Sequence, residues 1–309
     1  MVAGGSSIGP ALSRASARAG YRAVLTLPDD GADPSNATAV EAFFARTRPA
    51  AVVVASVLSG GIAANARRPA DFLEENLAAD ATVIAAAHRQ RVTKLLYLGS
   101  SCMYPRECRQ PMRVDDLMTG PLEPTSEAYA MAKLAGVALV RAYRRQHGDD
   151  FVAAVPADAF GPGDDFSDDG AHVVAALLRR LHESKEHAAP TATVWGTGRA
   201  RRDFLFVDDL ADACLFVLDR YSSDVPINIG AGADVSIAEL AGAIREVVGF
   251  DGALAFDTTK PDGMPRKTLD AAPLRGLGWT PATTLRAGLT ATYQWFLAHA
   301  ATAAAPAPR

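Results

Sequence analysis

Four short apolar runs, separated by stretches of helical period, constrain this chain more than any other feature. "YRAVLTL" (Tyr21–Leu27), "AAVVVAS" (Ala50–Ser56), "KLLYLGS" (Lys94–Ser100) and "FVAAVPA" (Phe151–Ala157) are dominated by Val, Leu and Ala. Strands apolar on both faces must be covered on both faces, which is the condition of a parallel sheet clad in helices. Ala-rich segments such as Pro69–Gln90 and Glu127–His147 supply that cover. The alternation predicts an α/β fold: a Rossmann-type, doubly wound parallel sheet with right-handed crossovers. After about residue 160 the alternation loosens, and Gly, Pro and Asp concentrate in "FGPGDDFSDDG". Shorter elements follow, among them "TATVWGTG", "VPINIGAG" and the helical "SIAELAGAIREVVG". The expected organisation is a Rossmann domain over 1–160, to which one later strand and helix return. A smaller C-terminal α/β lobe over 161–297 and a flexible tail over 298–309 complete it.

Composition excludes several partners. A net charge of −4 gives no electrostatic reason to expect nucleic acid or an anionic membrane. Apolar runs stay well short of the ~18 residues of a membrane span. Cys102, Cys108 and Cys214 form neither a paired framework nor a metal-ligand spacing, which fits a reducing cytoplasm and no bound metal. "MVAGGSS" lacks the basic and apolar regions of a signal peptide.

In an open α/β sheet, ligands bind beyond the carboxyl ends of the strands. Here "VAGGSSIG" (Val2–Gly9) is a Gly-rich turn leading into a helical pattern over Pro10–Ala19. Glycines let backbone approach a pyrophosphate, and the helix N-terminus offers amide donors and a positive dipole end. Gly4, Gly5, Ser6, Ser7, Ile8 and Gly9 are therefore the expected cofactor cradle. Only Met1 to Ala3 precede Gly4, against about five or six residues in a typical strand. The first strand is thus expected to be truncated, or to start upstream. The glycine spacing is compressed, and the acidic residue that would hold a ribose has only Asp29 or Asp30 as candidates.

"EAYAMAK" sets Tyr129 and Lys133 four residues apart at the start of a helix, hence on one face. A nearby ammonium stabilises a phenolate, so the pair can exchange a proton with a carbinol oxygen near neutral pH. Ser100, at the end of the preceding strand, can hydrogen-bond the same oxygen. Ser, Tyr and Lys in this order and context are the triad of the short-chain dehydrogenase/reductase superfamily.

The chain more specifically resembles the GDP-L-fucose synthase family, a group of extended short-chain dehydrogenase/reductases. The resembling segments are "SGGIAANARRPADFLEENL", "KLLYLGSSCMYP", "QPM", "TGPLEPTSEAYAMAKLAG", "FGPGDDF", "HVVAALLRR", "VWGTG", "RDFLFVDDLADA", "KPDGMPRK" and "TYQWFL", spread from about residue 50 to 297. The resemblance implies an NAD(P)H-dependent epimerase-reductase acting on a nucleotide-linked 4-keto-6-deoxyhexose, with GDP-4-keto-6-deoxy-D-mannose the default substrate. It also implies a sugar-nucleotide lobe and a homodimer built from Pro69–Gln90 and Glu127–His147 of each subunit. The family's hydroxyl donor matches Ser100, its catalytic tyrosine Tyr129 and its lysine Lys133, the last two also touching the cofactor with Ala55. Its epimerisation acid/base pair matches Cys102 and His172. A C4 ketone acidifies the protons on C3 and C5, and Cys and His ionise close enough to neutrality to exchange them. The diphosphate-binding residues match Arg180, Arg202 and Lys267, and Trp195 matches a residue lining the nucleotide pocket. Arg199, Arg201 and Arg266 read as surface charge. The aspartates of "FVDDLADA" are expected to cap a helix and dock the lobe.

The sequence departs from the family at three places. The arginines that contact a 2′-phosphate are missing, since the loop carries Ser6 and the second strand ends "TLPDD". The resemblance implies NADP(H), whereas these residues leave NAD(H) as the alternative. The family's "PTN" reads Pro156-Ala157-Asp158, which puts a carboxylate beside the sugar-phosphate unless it turns away, and "NEPYA" reads "SEAYA". Two other readings follow: a ketoreductase or epimerase on a dTDP- or GDP-linked deoxysugar of secondary metabolism, and a non-catalytic dinucleotide-binding sensor.

Overall fold

The computed structural model describes residues 2–3, 7–21, 24–27, 33–55, 57–167 and 170–303. The first half runs β1 (Val2–Ala3), α1 (Ile8–Arg18), β2 (Thr26–Leu27), α2 (Ala37–Thr47), β3 (Ala51–Val54), α3 (Ile62–Arg67), α4 (Pro69–Arg89), β4 (Lys94–Leu98), α5 (Glu127–His147), β5 (Phe151–Pro156) and β6 (Asp158–Phe160). The second half runs α6 (Val173–Glu186), β7 (Thr191–Trp195), β8 (Arg201–Arg202), β9 (Phe204–Phe206), α7 (Val207–Arg220), β10 (Ile227–Ile229), β11 (Val235–Ser236), α8 (Ile237–Val248), β12 (Ala253–Asp257), β13 (Arg266–Lys267), α9 (Ala272–Gly276) and α10 (Leu285–Ala303).

Six strands form one parallel sheet in the order β10-β5-β4-β3-β1-β2. The chain leaves β1 for β2 on one side and then crosses to β3 on the other. A crevice therefore opens between β1 and β3 at their carboxyl ends, where such sheets bind ligands. The first five residues of β5 are all buried, as are the last four of β4, because helices cover both faces. Helix α7 and strand β10 return from the second half, β10 pairing with β5 and α7 packing on α1 through Arg14–Asp208 and Arg18–Asp212. A second core, around Phe160, Phe166, Leu178, Leu240, Leu289 and Phe296, belongs to the C-terminal lobe. There α6, α8 and α10 pack against the β7–β12 and β6–β9 pairs, while β8 lies between β11 and β13.

Local chemistry explains the boundaries. The Asn36 side chain caps α2, and Ser236 with Glu239 forms a reciprocal capping box on α8. Helix α4 opens on Pro69, and α5 closes on Gly148 in the left-handed conformation. Three expectations are corrected. Among the described residues, the second strand pairs over Thr26–Leu27 and not over Val24–Leu25. Helix α10 continues through Ala303 where a tail was expected from 298, consistent with its run of helix-favouring alanines. Asp208 and Asp209 lie in the first turn of α7 rather than capping it, and Phe206 holds the cap position without a side-chain bond. Asp209 instead accepts the backbone N–H of Ala282 (3.3 Å) and Thr283 (2.9 Å), tying down the segment that leads to α10.

Candidate active site

Strand β4 delivers its chain to the carboxyl edge of the sheet, where residues 101–103 form a single 3₁₀ turn. Ser100 stands at the head of that turn and its Oγ accepts the Cys102 N–H at 3.2 Å. Ser101 is buried and donates to Asp158 Oδ1 at 3.1 Å. Lys267 Nζ donates to Asp158 Oδ1 at 2.7 Å and to Ser101 Oγ at 3.2 Å, and lies 3.9 Å from Cys102 Sγ. Arg202 Nε approaches the other Asp158 oxygen at 3.8 Å. Burial would raise the Asp158 carboxyl, but Lys267 and Arg202, with His172 further out, outweigh it and hold it below the usual carboxylate range. The carboxylate of Asp158 does not turn away. It faces two of the basic residues expected to take the diphosphate, and Lys267 stands beside Cys102.

His172 is exposed and occupies the cap position of α6. The backbone before it is pinned by Gly61, whose N–H donates to the Gly170 carbonyl at 3.3 Å. A Cβ on Gly61 would come within 2.5 Å of the Ala171 carbonyl oxygen, so only glycine permits this approach.

Tyr129 and Lys133 lie in the first two turns of α5, and the half-buried Tyr129 ring meets Phe72 edge-on at 6.2 Å. Lys133 is fully buried. Its Nζ sits 3.3 Å from Asp80 Oδ2 and 4.2 Å from the centre of the Tyr97 ring. Tyr97 donates its phenolic proton to the same Asp80 oxygen at 2.6 Å. Burial lowers the Lys133 ammonium against the pull of Asp80, raises Asp80 against the pull of Lys133, and drives the Tyr97 phenol far up. Sequence reasoning did not find Asp80. Its signal was a carboxylate one turn after Asn76, on the face of α4 that also carries Phe72, Val83 and Ala87.

At the crevice, Ser7, Ile8 and Gly9 are buried at the start of α1, and Ala55 is buried just past β3. The Ser7 side chain bonds the Asp164 carboxylate, which also accepts the Gly161 N–H at 3.0 Å. Small groups at the switch point of the sheet, facing a helix N-terminus, fit a dinucleotide. Gly4, Gly5, Ser6, Asp29 and Asp30 lie outside the described residues.

On the lobe, Trp195 ends β7 and is 43% exposed. The Arg180 guanidinium lies 5.2 Å and Lys260 Nζ 5.3 Å from its ring centre. Arg180 also donates to the Thr193 carbonyl at 2.8 Å. An exposed indole beside two cations suits an aromatic base linked to phosphate. Arg180 and Trp195 thus form one cluster, and Arg202 and Lys267 another around Asp158. Lys260 was not anticipated; it begins the quoted "KPDGMPRK", shortly after β12, which pairs with β7. Arg201 and Arg266 both bind Asp234, the former at 2.6 Å and the latter at 2.5 Å.

Residues 1–230 match the family model described as the NAD dependent epimerase/dehydratase family. "GDP-L-fucose synthase 1" of Arabidopsis thaliana is 47% identical over 290 residues, covering 94% of this chain and 90% of that one. "GDP-L-fucose synthase" of Escherichia coli (strain K12) is 43% identical over 299 residues, covering 94% and 93%. The solved structure of a GDP-mannoheptose C4 reductase from Campylobacter jejuni with NADP bound superposes with a TM-score of 0.85 at 31% identity, covering 96% and 97%. The chain belongs to the NAD dependent epimerase/dehydratase family, within its GDP-L-fucose synthase branch. Among the described residues no helix is long and apolar enough to cross a membrane.

Proposed function

We propose that this chain epimerises GDP-4-keto-6-deoxy-D-mannose at C3 and C5 and reduces it at C4, giving GDP-L-fucose. The observation that carries the reading is the single turn after β4. It brings Ser100, Cys102 and Lys267 together, which supports Ser100 as the partner of the C4 oxygen and Cys102 as an acid/base for the carbons on either side. The names of its relatives and the matched branch support the same substrate class. Trp195, Arg180 and Lys260 receive the guanine nucleotide, and Arg202 orients the diphosphate. Cys102 and His172 exchange the C3 and C5 protons through enolates. Tyr129, beside the Lys133 ammonium, gives a proton to the C4 oxygen while Ser100 holds it. The bound nicotinamide supplies the hydride. Ser7, Ile8, Gly9 and Ala55 would hold that dinucleotide at the crevice, and Gly4, Gly5 and Ser6 precede them in the sequence. NADPH is the proposed form, as in the NADP-bound C. jejuni reductase. We place the protein in the cytoplasm, as a homodimer through α4 and α5.

The test is incubation with GDP- and dTDP-linked 4-keto-6-deoxyhexoses in deuterated buffer, with NADPH or NADH, read by mass. Two solvent deuterons in a reduced GDP-hexose are expected, together with loss of that exchange in Cys102→Ser. Reduction without exchange would make the chain a simple ketoreductase. No turnover of any sugar would favour a dinucleotide-binding sensor.

A further inference from the structure

The reductase lysine is buried against a carboxylate that belongs to neither the triad nor the cofactor loop. Asp80 projects from α4, the helix that packs along α5, and is itself almost completely buried. Its Oδ2 receives two donors, Tyr97 Oη at 2.6 Å and Lys133 Nζ at 3.3 Å. Among the described residues its Oδ1 has no hydrogen-bond partner, so their compensation for burying this carboxylate passes through one oxygen. Tyr97 is also fully buried, its ring lying under Lys133 and its hydroxyl against Gly136 of α5, where a Cβ would come within 2.1 Å. The fold thus reserves space for a three-part contact of strand β4, helix α4 and helix α5.

We propose that Asp80 is a positioning residue for the reduction: its carboxylate keeps the buried Lys133 ammonium protonated and fixed on the Tyr129 face of α5, while Tyr97 fixes the carboxylate. An isolated ammonium in an apolar interior gives up its proton rather than stay charged. Removing one partner of a buried pair leaves the other uncompensated. Lys133 must be positive to stabilise a Tyr129 phenolate, so its usefulness depends on a counter-charge at its buried end. The titratable groups acting on the cluster are Tyr97 from β4 and Lys133 and Tyr129 from α5. Burial drives Tyr97 far above its ordinary value, so it remains a phenol and a donor throughout the working range. The sign follows. Without the carboxylate, Lys133 loses its proton at lower pH, and the alkaline limb of the reduction rate moves down with it.

The proposal rests on the reductase reading for its consequence, and its test is independent of that reading. The chain has only five lysines, Lys94, Lys133, Lys185, Lys260 and Lys267, so lysine labelled with ¹³C at Cε gives a resolvable NMR spectrum. The signal lost in Lys133→Arg identifies Lys133. Titration of Asp80→Asn should lower the Lys133 midpoint by about one pH unit or more relative to wild type, and Asp80→Glu should restore most of it. A folded Asp80→Asn protein whose Lys133 midpoint is unchanged or higher overturns the proposal. Should that variant not fold, the wild-type titration still decides. Lys133 must keep its proton through about pH 8, and a neutral Lys133 at neutral pH overturns the assignment. Where the keto-sugar is turned over, Asp80→Asn should also lower kcat on the alkaline side while leaving KM for the sugar nucleotide unchanged. A loss of kcat uniform across pH marks a structural role only and overturns the proposal.

Discussion

The Lys267–Asp158 pair lends itself to a double-mutant cycle using Lys267→Met and Asp158→Asn. The two residues are 109 positions apart, and their contact of 2.7 Å joins the lobe strand β13 to the start of β6. At that separation the Coulomb attraction is about 6 kcal/mol at an effective dielectric of 20 and about 1.5 kcal/mol in bulk water. Their side chains are 11% and 28% exposed, which puts the pair between a surface bridge of about 0–1 kcal/mol and a buried one whose breaking costs about 3–5 kcal/mol. A coupling energy of about 2 kcal/mol is therefore expected. Lys267→Met should be the more damaging single change, because it leaves Asp158 with the Ser101 hydroxyl at 3.1 Å and Arg202 at 3.8 Å. The assay is urea unfolding of the four proteins at pH 7, with the slope of the transition checked for constancy. Acid supplies a second check. The folded pKa of Asp158 lies below the 3.8 of a free aspartate, so the stabilisation is present above that pH and lost as pH falls through the lowered folded value. A coupling below about 0.5 kcal/mol at pH 7, within the error of additivity, would refute the assignment of Lys267 to Asp158.

Tyr129→Phe should lower the reduction rate by about a hundredfold or more while leaving nucleotide affinity nearly unchanged, as read by nicotinamide absorbance and calorimetry; full turnover would remove Tyr129 from the proton path. Gly136→Ala should destabilise the fold by about 3 kcal/mol, the upper end of overpacking costs, because its Cβ would lie 2.1 Å from Tyr97 Oη in a filled interior. Urea unfolding within about 0.5 kcal/mol of wild type would contradict that packing. Asp234 is held at about 2, burial being outweighed by Thr268, Arg201 and Arg266, so its contribution is present above 3.8 and lost as pH falls towards 2. Asp234→Asn should then cost about 2 kcal/mol at pH 7 and progressively less below pH 4, and an equal cost at both would exclude the ionic origin. Gly61→Ala should depress deuterium exchange at C3 and C5 more than hydride transfer, since the new Cβ displaces the Ala171 carbonyl next to His172. Equal losses of both would show that His172 is not set by this contact.

What the sequence disclosed followed from how local each feature is. Apolar runs and helical periods are properties of neighbouring residues, so the sheet and its helices could be read directly, as could the Ser100-Cys102 spacing and the Tyr129-Lys133 spacing. Pairings across the fold could not. Asp80 meets Lys133 from 53 positions away, and Lys267 reaches Cys102 from 165. Lys267 therefore read as a diphosphate ligand by its motif, although its position in space is set by Asp158. Asp158 itself looked like an intrusive charge in a sugar-phosphate site. The structure neutralises it with two cations, a compensation that no single stretch of sequence displays. The parallel β6–β9 pair escaped for a related reason, since three-residue strands carry too little period to be recognised.

The two halves of the proposed reaction are anchored differently, and this difference has consequences for their order. Ser100, Tyr129 and Lys133 all hang from the central sheet and α5, so their mutual geometry is fixed by one core. Cys102 shares that anchorage, but His172 opens α6, whose buried residues Val174, Ala175, Leu177 and Leu178 belong to the lobe core. In the proposed reaction, proton exchange through the thiol and the imidazole therefore needs both bodies in register, with Lys267 of the lobe reaching Ser101 at 3.2 Å and Cys102 at 3.9 Å. In that proposal, reduction draws on the sheet-borne triad, a correctly seated keto group and the hydride of the dinucleotide. Early reduction would remove the carbonyl that acidifies C3 and C5 and trap an unepimerised sugar. The Gly61–Gly170 contact lies two residues before His172, so in the proposed reaction it would help to set the imidazole while the ketone is still present.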